Sequence, residues 1–496
     1  MPGAHLAETV KIMTFPDNQS QQIMSIMPLR NRKIAEDARA VFNREARGKR
    51  AEPQWRMNMQ RTGISRRTLI KAAGATAVTA GVFMPYVRTA SAATEIAHWS
   101  PLVASDGEIW NQMTAAFNEA HKNKGVQIKT EMIAWDDYTT KVLAAAASGV
   151  APDFGWNTDP RPSFVRDGLP VPLDDLAKSS GLDLADFSDF SLSKSKFPKY
   201  GGDSLFQVPM DLMCVQPEIN TAHVAEAGLK IEDWPDTGEK LIEWAKAMTK
   251  MEGDKVVRSG IMMTGSGVQP TVTWGIVAEQ MGFRRIGDDG KSVAVNPDAG
   301  KAAMQWVLDL FDKHKVSTRD VTDRYKAFGA GQGSVFWTGP WTVNGYLEQK
   351  LPFVTRPFPK IGENRVTYFE RGALELYTQK DTSRHQATMD AVKWLSDNSF
   401  LWCTKGRGAS PRKSIISRED YKTAGAPWDV RGAFVEGMDY ATAIADYPII
   451  NGADFNIYSG GNFLAKTLEL VWAGQISIDD AMTKLQEGWQ KALDEG

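Results

Sequence analysis

Between residues 95 and 156, apolar spacing switches repeatedly between a period near two and a period near 3.6. That alternation limits the fold more than any other feature of this 496-residue chain. Residues 95–99 read as a short strand. Residues 106–121 place Ile109, Trp110, Met113, Ala116, Phe117 and Ala120 at the spacing of an amphipathic helix, with Asp106 expected to cap its start. Gly125 breaks the pattern and residues 126–133 alternate as a strand. A second helix over 137–147 ends at Gly149, and 152–156 form a third strand running into a Pro-rich loop. This β-α-β-α-β order implies an α/β fold with a parallel, doubly wound sheet. Such sheets bind ligands beyond the carboxyl ends of their strands, which directs attention to residues 99–101 and 156–159.

Further helical patterns follow at 236–250, 298–314, 386–396 and 477–493, the last with Ser477 as its cap. There is no GxxxxGK[ST] and no strand–GxGxxG–helix, so a nucleotide cofactor is not expected. Six histidines lie scattered, without metal-ligand spacing. Two cysteines, Cys214 and Cys403, exclude a four-thiolate site; they read as buried thiols, with a disulfide between them left open. No cofactor and no metal are expected.

The chain's formal charge of −2 conceals two unlike segments. Residues 61–93 read RTGISRRTLIKAAGATAVTAGVFMPYVRTASAA. The stretch around Arg66 and Arg67 resembles the twin-arginine export motif. It precedes a short apolar run over 72–83 and a small-x-small site ending at Ala92. Twelve weakly apolar residues are too few to span a bilayer, which takes about 20. Residues 57–92 are therefore expected to be a signal peptide cut after Ala92, and 1–56 a non-native or disordered extension upstream of Met57 or Met59. Residues 1–92 carry 15 Lys+Arg against 6 Asp+Glu; the remaining 404 residues carry 43 against 54, a net of −11. An acidic, exported, periplasmic protein follows, with no nucleic-acid partner, since that would call for a basic face.

Several segments, in order, resemble family 1 extracellular solute-binding proteins, the periplasmic sugar-binding components of ABC importers. They are Phe117-Asn118-Glu119, residues 137–149 (DYTTKVLAAAASG), Pro152-Asp153-Phe154, residues 168–176 (GLPVPLDDL) and Val208-Pro209-Met210-Asp211. Then come Trp234-Pro235-Asp236-Thr237, residues 327–335 (AFGAGQGSV), Thr338-Gly339-Pro340-Trp341, Gly372-Ala373-Leu374 and residues 406–412 (GRGASPR). The resemblance spans essentially all of 94–496. It implies a periplasmic-binding-protein type II-like fold, with two α/β lobes, a multi-crossover hinge and ligand held between the lobes. Crossings are expected near 209–213, 371–374 and 409–412. The first lobe is then 94–209 plus 372–409, and the second 212–370 plus 410–496. The implied partners are a small-molecule ligand of carbohydrate type, the transmembrane subunits of an ABC permease, and the twin-arginine translocase during export. The working form is expected to be a monomer.

Sugar sites pair aromatic platforms with polar side chains. Trp99 and Trp156 end parallel strands, and Asp159 matches a strand-end carboxylate of maltose-binding members. Asp211 sits at the first expected crossing. Trp341 follows Gly339-Pro340 and matches the family's stacking tryptophan, with Trp274 as a further platform and Tyr447 and Tyr458 bracketing a late loop. Arg371 and Arg412 flank crossings, where a guanidinium can fork onto vicinal hydroxyls, a carboxylate or a phosphate. Ser100-Pro101-Leu102-Val103 replaces the charged pair of some maltose binders, so the sugar class is expected without maltose itself. Alternative ligands on the same fold are a polyol, a glycerol phosphate, a uronate or a polyamine. A glycosidase would need two opposed carboxylates about 5–9.5 Å apart, which nothing in the chain marks, and a binding protein rather than an enzyme is expected.

Overall fold

The structure is a computed structural model; it describes residues 94–495, apart from 158–161, 268, 288, 290, 406 and 444–462. Arg66, Arg67, the cleavage site near Ala92, the 1–56 extension, Asp159, Tyr447 and Tyr458 lie outside the described residues. The strands are β1 (Thr94–Ser100), β2 (Val126–Met132), β3 (Phe154–Asn157), β4 (Val208–Cys214), β5 (Gln216–Asn220), β6 (Lys250–Glu252) and β7 (Lys255–Met262). There follow β8 (Arg284–Ile286), β9 (Val293–Val295), β10 (Gly333–Thr338), β11 (Phe353–Thr355), β12 (Thr367–Leu376) and β13 (Ala441–Ala443).

The first sheet has the order β13-β12-β3-β1-β2, with β4 also paired to β12. β1 runs parallel to both β2 and β3, so the alternating pattern at the start of the sequence does build a parallel, doubly wound core. Its helices are Ala104–His121 and Trp135–Ala147. The first begins two residues before Asp106, its N-cap is Val103, and no side chain caps it. Asp106 is thus no cap; its carboxylate turns elsewhere, as described below. Ser477 does cap the final helix, accepting from the Asp480 amide at 3.0 Å.

β5, β7, β10 and β11 form the second sheet with β6, in the order β11-β5-β10-β7-β6. β10 is parallel to β7 and antiparallel to β5. Two large cores serve the two sheets. Ile96, Trp110, Phe117, Phe154, Trp156, Leu374 and Trp402 belong to the first. Ile219, Leu241, Ile261, Trp274, Met304, Val335, Leu468 and Trp489 belong to the second. Each such side chain, fully buried, contributes about 1.5–3 kcal/mol.

β4 and β12 connect the cores. Val208 and Met210 pack in the first and Val215 in the second; Leu374 and Leu376 pack in the first and Tyr368 in the second. The three stretches expected as crossings lie side by side: β4 pairs antiparallel with β12, and Leu212 and Ala409 exchange backbone hydrogen bonds at 2.8 and 2.9 Å. The register shifts between Gly372 and Ala373. A Cβ on Gly372 would lie 2.0 Å from the Trp156 ring and 2.8 Å from an Asp211 oxygen, so only glycine fits there. Beyond Arg412 the chain stays with the first core, because Ile415 and Tyr421 bury there; Ala426, Val430 and Phe434 then join residues of the second sheet.

Candidate functional site between the two sheets

A cavity of about 500 Å³ opens between the lobes. From the first-sheet side it is lined by Val103–Asp106, at the turn after β1, together with Trp135, Glu370 and Arg407. From the second-sheet side come Gln269, Arg324, Tyr325, Trp337, Thr338, Trp341, Thr342 and Tyr346. Its first wall therefore does follow the carboxyl end of a parallel strand, but four residues beyond Trp99.

The first wall is built from charge. Arg407 is 3% exposed and donates to Asp106 Oδ2 at 2.9 Å, while its Nε lies 3.6 Å from Asp211 Oδ2. Its guanidinium sits 5.1 Å from the centre of the Trp402 ring. Burial opposes that charge, but Asp106, Asp211 and Glu370 outweigh it and hold the guanidinium's pKa above the usual value. Asp211, wholly buried, also accepts from the Gly372 amide and from Trp402 Nε1 at 2.6 Å. Burial pushes the Asp211 carboxyl up against the pull of Arg407. Asp106 is raised to about 6 by burial, opposed by Arg407 and reinforced by Asp211.

The second wall is built mainly from rings and neutral polar groups, with the cations Arg324 and Lys326 along it. Trp341 is half-buried and donates from Nε1 to Tyr325 Oη at 3.1 Å. Its ring folds over Gly339, where a Cβ would meet it at 1.9 Å. Trp337 packs edge-on to Phe358 at 4.5 Å between centroids and stacks on Trp306 at 6.1 Å. Behind Thr342 lies Glu218, fully buried, accepting the Thr342 hydroxyl hydrogen. Burial lifts the Glu218 carboxyl to about 8, the Thr342 bond opposing, so it is neutral at pH 7.

Five buried polar atoms on the lining side chains have no hydrogen-bond partner among the described residues: Asp106 Oδ1, Gln269 Oε1, Trp337 Nε1, Thr338 Oγ1 and Arg407 Nε, the last lying at ion-pair distance from Asp211. Buried polar groups in folded proteins are nearly always paired. Five of them gather on this one cavity and leave it with donors and acceptors open to a polar group, while further unpaired atoms lie elsewhere in the fold.

Of the residues singled out from the sequence, Trp341 lines this cavity. Trp156 and Trp274 do not. Trp156 is 0% exposed, edge-on to Trp110 and Trp402 at 5.1 Å each. Trp274 is 0% exposed, donates to the Gly300 carbonyl at 2.9 Å and packs on Phe283 and Trp489. Trp99 packs with Tyr138 and Tyr377 in a side cluster. Asp211 stands behind the wall and reaches the cavity through Arg407. Arg371 is bound to Ser195 Oγ, the Lys194 carbonyl and Gln207, away from the cavity. Arg412 is held by Asp186 and Asp397 at 2.8 Å each. Both guanidiniums fasten the first lobe internally. Cys214 and Cys403 are free, buried thiols rather than a disulfide. Burial pushes the Cys214 thiol up to about 12.

Asp106, Arg407, Glu218 and Trp135 were not singled out as site residues. Two signals existed: Arg407 sits within the Gly406-Arg407-Gly408 run, and Glu218 interrupts the apolar positions of a strand.

Two α/β lobes sharing a cavity walled by rings and fixed polar groups define a solute-binding architecture of the periplasmic-binding-protein type II kind. The chain belongs to the family of bacterial extracellular solute-binding proteins, whose model matches residues 100–398. No curated protein matches it by sequence. Among solved structures it is similar to an ABC substrate-binding protein from Listeria monocytogenes in complex with cycloalternan. The two are 18% identical with a TM-score of 0.69, over 82% of this chain and 100% of that one. It is also similar to the maltose/maltodextrin-binding domain from Bdellovibrio bacteriovorus bound to maltotriose (17%, TM-score 0.66, 81% and 100%). A third is UgpB from Mycobacterium tuberculosis in complex with glycerophosphocholine (16%, TM-score 0.69, 81% and 99%). At these identities the likeness is one of fold. The family and these neighbours are binding proteins rather than enzymes. Among the described residues no helix is long and apolar enough to cross a membrane, and no cluster of three or more His, Cys, Asp or Glu is placed to hold a metal.

Proposed function

We propose that this protein captures a saccharide between its two lobes and delivers it to the membrane permease of an ABC importer, with no chemistry of its own. The observation that carries this reading is the cavity, in which the half-buried rings of Trp341 and Tyr325 stand beside five unpaired polar atoms, Trp337 Nε1 among them. A sugar presents C–H faces ringed by hydroxyls that both donate and accept, and it matches such a wall. Micromolar affinity needs about −8 kcal/mol, within reach of two or three stacked rings and a polar rim. The sugar ligands of the Listeria and Bdellovibrio neighbours support the same class.

The site residues of this reading are Trp341 and Tyr325 as platforms, with Asp106, Gln269, Thr338 and the Trp337 indole N–H as hydrogen-bonding groups and Trp135 at the mouth. In this reading the precursor leaves through the twin-arginine translocase by way of Arg66 and Arg67, is cut after Ala92, and works as a periplasmic monomer. Changing Arg66 and Arg67 to Lys should hold the precursor inside the cell, and the mass of the exported form should correspond to a chain starting at Ala93. Thermal denaturation over a panel of mono-, di- and oligosaccharides tests the central claim. A ligand at about 100 times its Kd adds about 2.7 kcal/mol of stability. If every saccharide leaves the melting temperature unmoved, the sugar reading fails.

A further inference from the structure

The first wall of the cavity contains a carboxylate that is half used. Asp106 Oδ2 accepts from Arg407 at 2.9 Å, whereas Oδ1 has no partner among the described residues although the residue is only 8% exposed. Arg407 in turn faces Asp211 as well as Asp106, and Glu370 lies near enough to act on its charge. Three acids thus surround one buried cation. Across the cavity, Arg324 donates to Tyr325 Oη at 2.9 Å and Lys326 pairs with Asp323 at 3.2 Å.

An anionic ligand group brought to the first wall would meet three carboxyls and a guanidinium already engaged by two of them. It would add like charge in a poorly solvated place, where such repulsion is strong. A hydroxyl has the reverse fit. One hydroxyl of a ligand can donate to Asp106 Oδ1, and other hydroxyl oxygens of the same ligand can accept from Trp337 Nε1 or Thr338 Oγ1, which are also unpartnered. Removal of the matching donor from such a site is costly, because a buried acceptor is then left without a partner.

We propose that Asp106 is the specificity-determining acceptor of this site: it selects an uncharged, hydroxyl-bearing ligand, while Arg407 positions it and Asp211 positions Arg407. This rests on the saccharide reading above and goes further, since it excludes uronates and phosphate esters from the same cavity. It also gives the cavity a polarity, with the charged wall reading hydroxyl direction and the ring wall supplying contact area.

Binding calorimetry tests it with two probe sets: maltotriose, mannotriose and tagatose as neutral ligands, and glucuronate, glycerol 3-phosphate and glycerophosphocholine as charged ones. Binding is expected only in the neutral set. For the tightest neutral probe, Asp106→Asn is expected to weaken affinity at least tenfold. Wild-type affinity is expected to fall as pH drops from 7 to 5, and the Asn variant to stay flat. The groups facing the Asp106 carboxyl are Arg407, Asp211 and Glu370 on its own side and Arg324 and Lys326 opposite, with Glu218 behind the second wall. Glu218 titrates near 8, above the range tested. Arg407→Lys should move the midpoint of the pH profile upward, which loss of fold alone would not do. Tightest binding by glucuronate, or an Asn variant as tight as wild type, overturns the assignment and leaves the saccharide reading intact; tightest binding by glycerol 3-phosphate or glycerophosphocholine overturns both. Silence of every probe in both sets sinks the saccharide reading itself. Should Asp106→Asn fail to fold, the wild-type profile decides, and a flat one from pH 7 to 5 overturns the proposal.

Discussion

The two walls of the cavity solve the same problem with opposite materials. The first is a chain of ionic groups, Asp106–Arg407–Asp211, tied into the backbone at Gly372. The second is a set of rings and hydroxyls with a buried acid, Glu218, kept neutral behind it and with Arg324 and Lys326 held by their own neighbours along it. Charge can be fixed in place only where every member is held by another, so the first wall is rigid and directional. Rings need no such support and supply area. Losses on the first side should therefore appear as instability or loss of selectivity, and losses on the second as weaker binding by an intact fold.

The sharpest way to break the comparison is Arg407→Ala. It leaves Asp106 and Asp211 buried without their cation, and a loss of about 3–5 kcal/mol in urea-unfolding free energy is expected. An unchanged midpoint and slope would mean that the first wall is not an ionic framework. Trp341→Ala should do the reverse. The folded state should persist by circular dichroism, while saccharide affinity falls at least roughly tenfold, about 1.4 kcal/mol or more by calorimetry.

Glu218→Gln probes the neutrality of the second wall. The native state keeps the Glu218 proton up to about pH 8, where the unfolded chain has already lost it above about 4.5. Stability from that group is fully present below about 4.5 and is lost as pH rises through 8. The Gln variant should escape this loss and gain on wild type by about 1 kcal/mol per unit between pH 5 and 8. Parallel stability curves would show that Glu218 is ionised in the native state. The smallest effect is expected at Trp135, which is 41% exposed at the mouth of the cavity. Its change to Ala should weaken binding about threefold, roughly 0.6 kcal/mol, by the same calorimetric titration.

Much of the fold was legible because the apolar periods of β1, β2 and their helices are unbroken, and the structure keeps those elements within a few residues of their expected bounds. The site was less so. Position at a strand end says how far along the sheet a residue lies, but not which face its side chain takes. Trp156 lies one residue before the end of β3 and points into the layer shared with Trp110 and Trp402. Arg371 and Arg412 carry the chemistry of ligand binding, but neighbours within the first lobe engage them: Ser195 and Gln207 hold Arg371 from more than 150 positions away, and Arg412 is shared between distant Asp186 and nearby Asp397. Asp106 looked like a helix cap because its real partner, Arg407, is 301 residues distant. Trp341 was readable because Gly339-Pro340-Trp341 matches the family's motif, and the structure sets that tryptophan on the cavity by a turn of three residues.

β12 passes from one core to the other as a single strand, with β4 beside it. The register of this ribbon slips at Gly372. The Trp156 ring and the Asp211 carboxylate stand against that glycine. A side chain added there would displace a ring of the first core and a carboxylate that faces Arg407. The join between the lobes and the charged wall of the cavity therefore share one keystone, and neither can be altered there without the other.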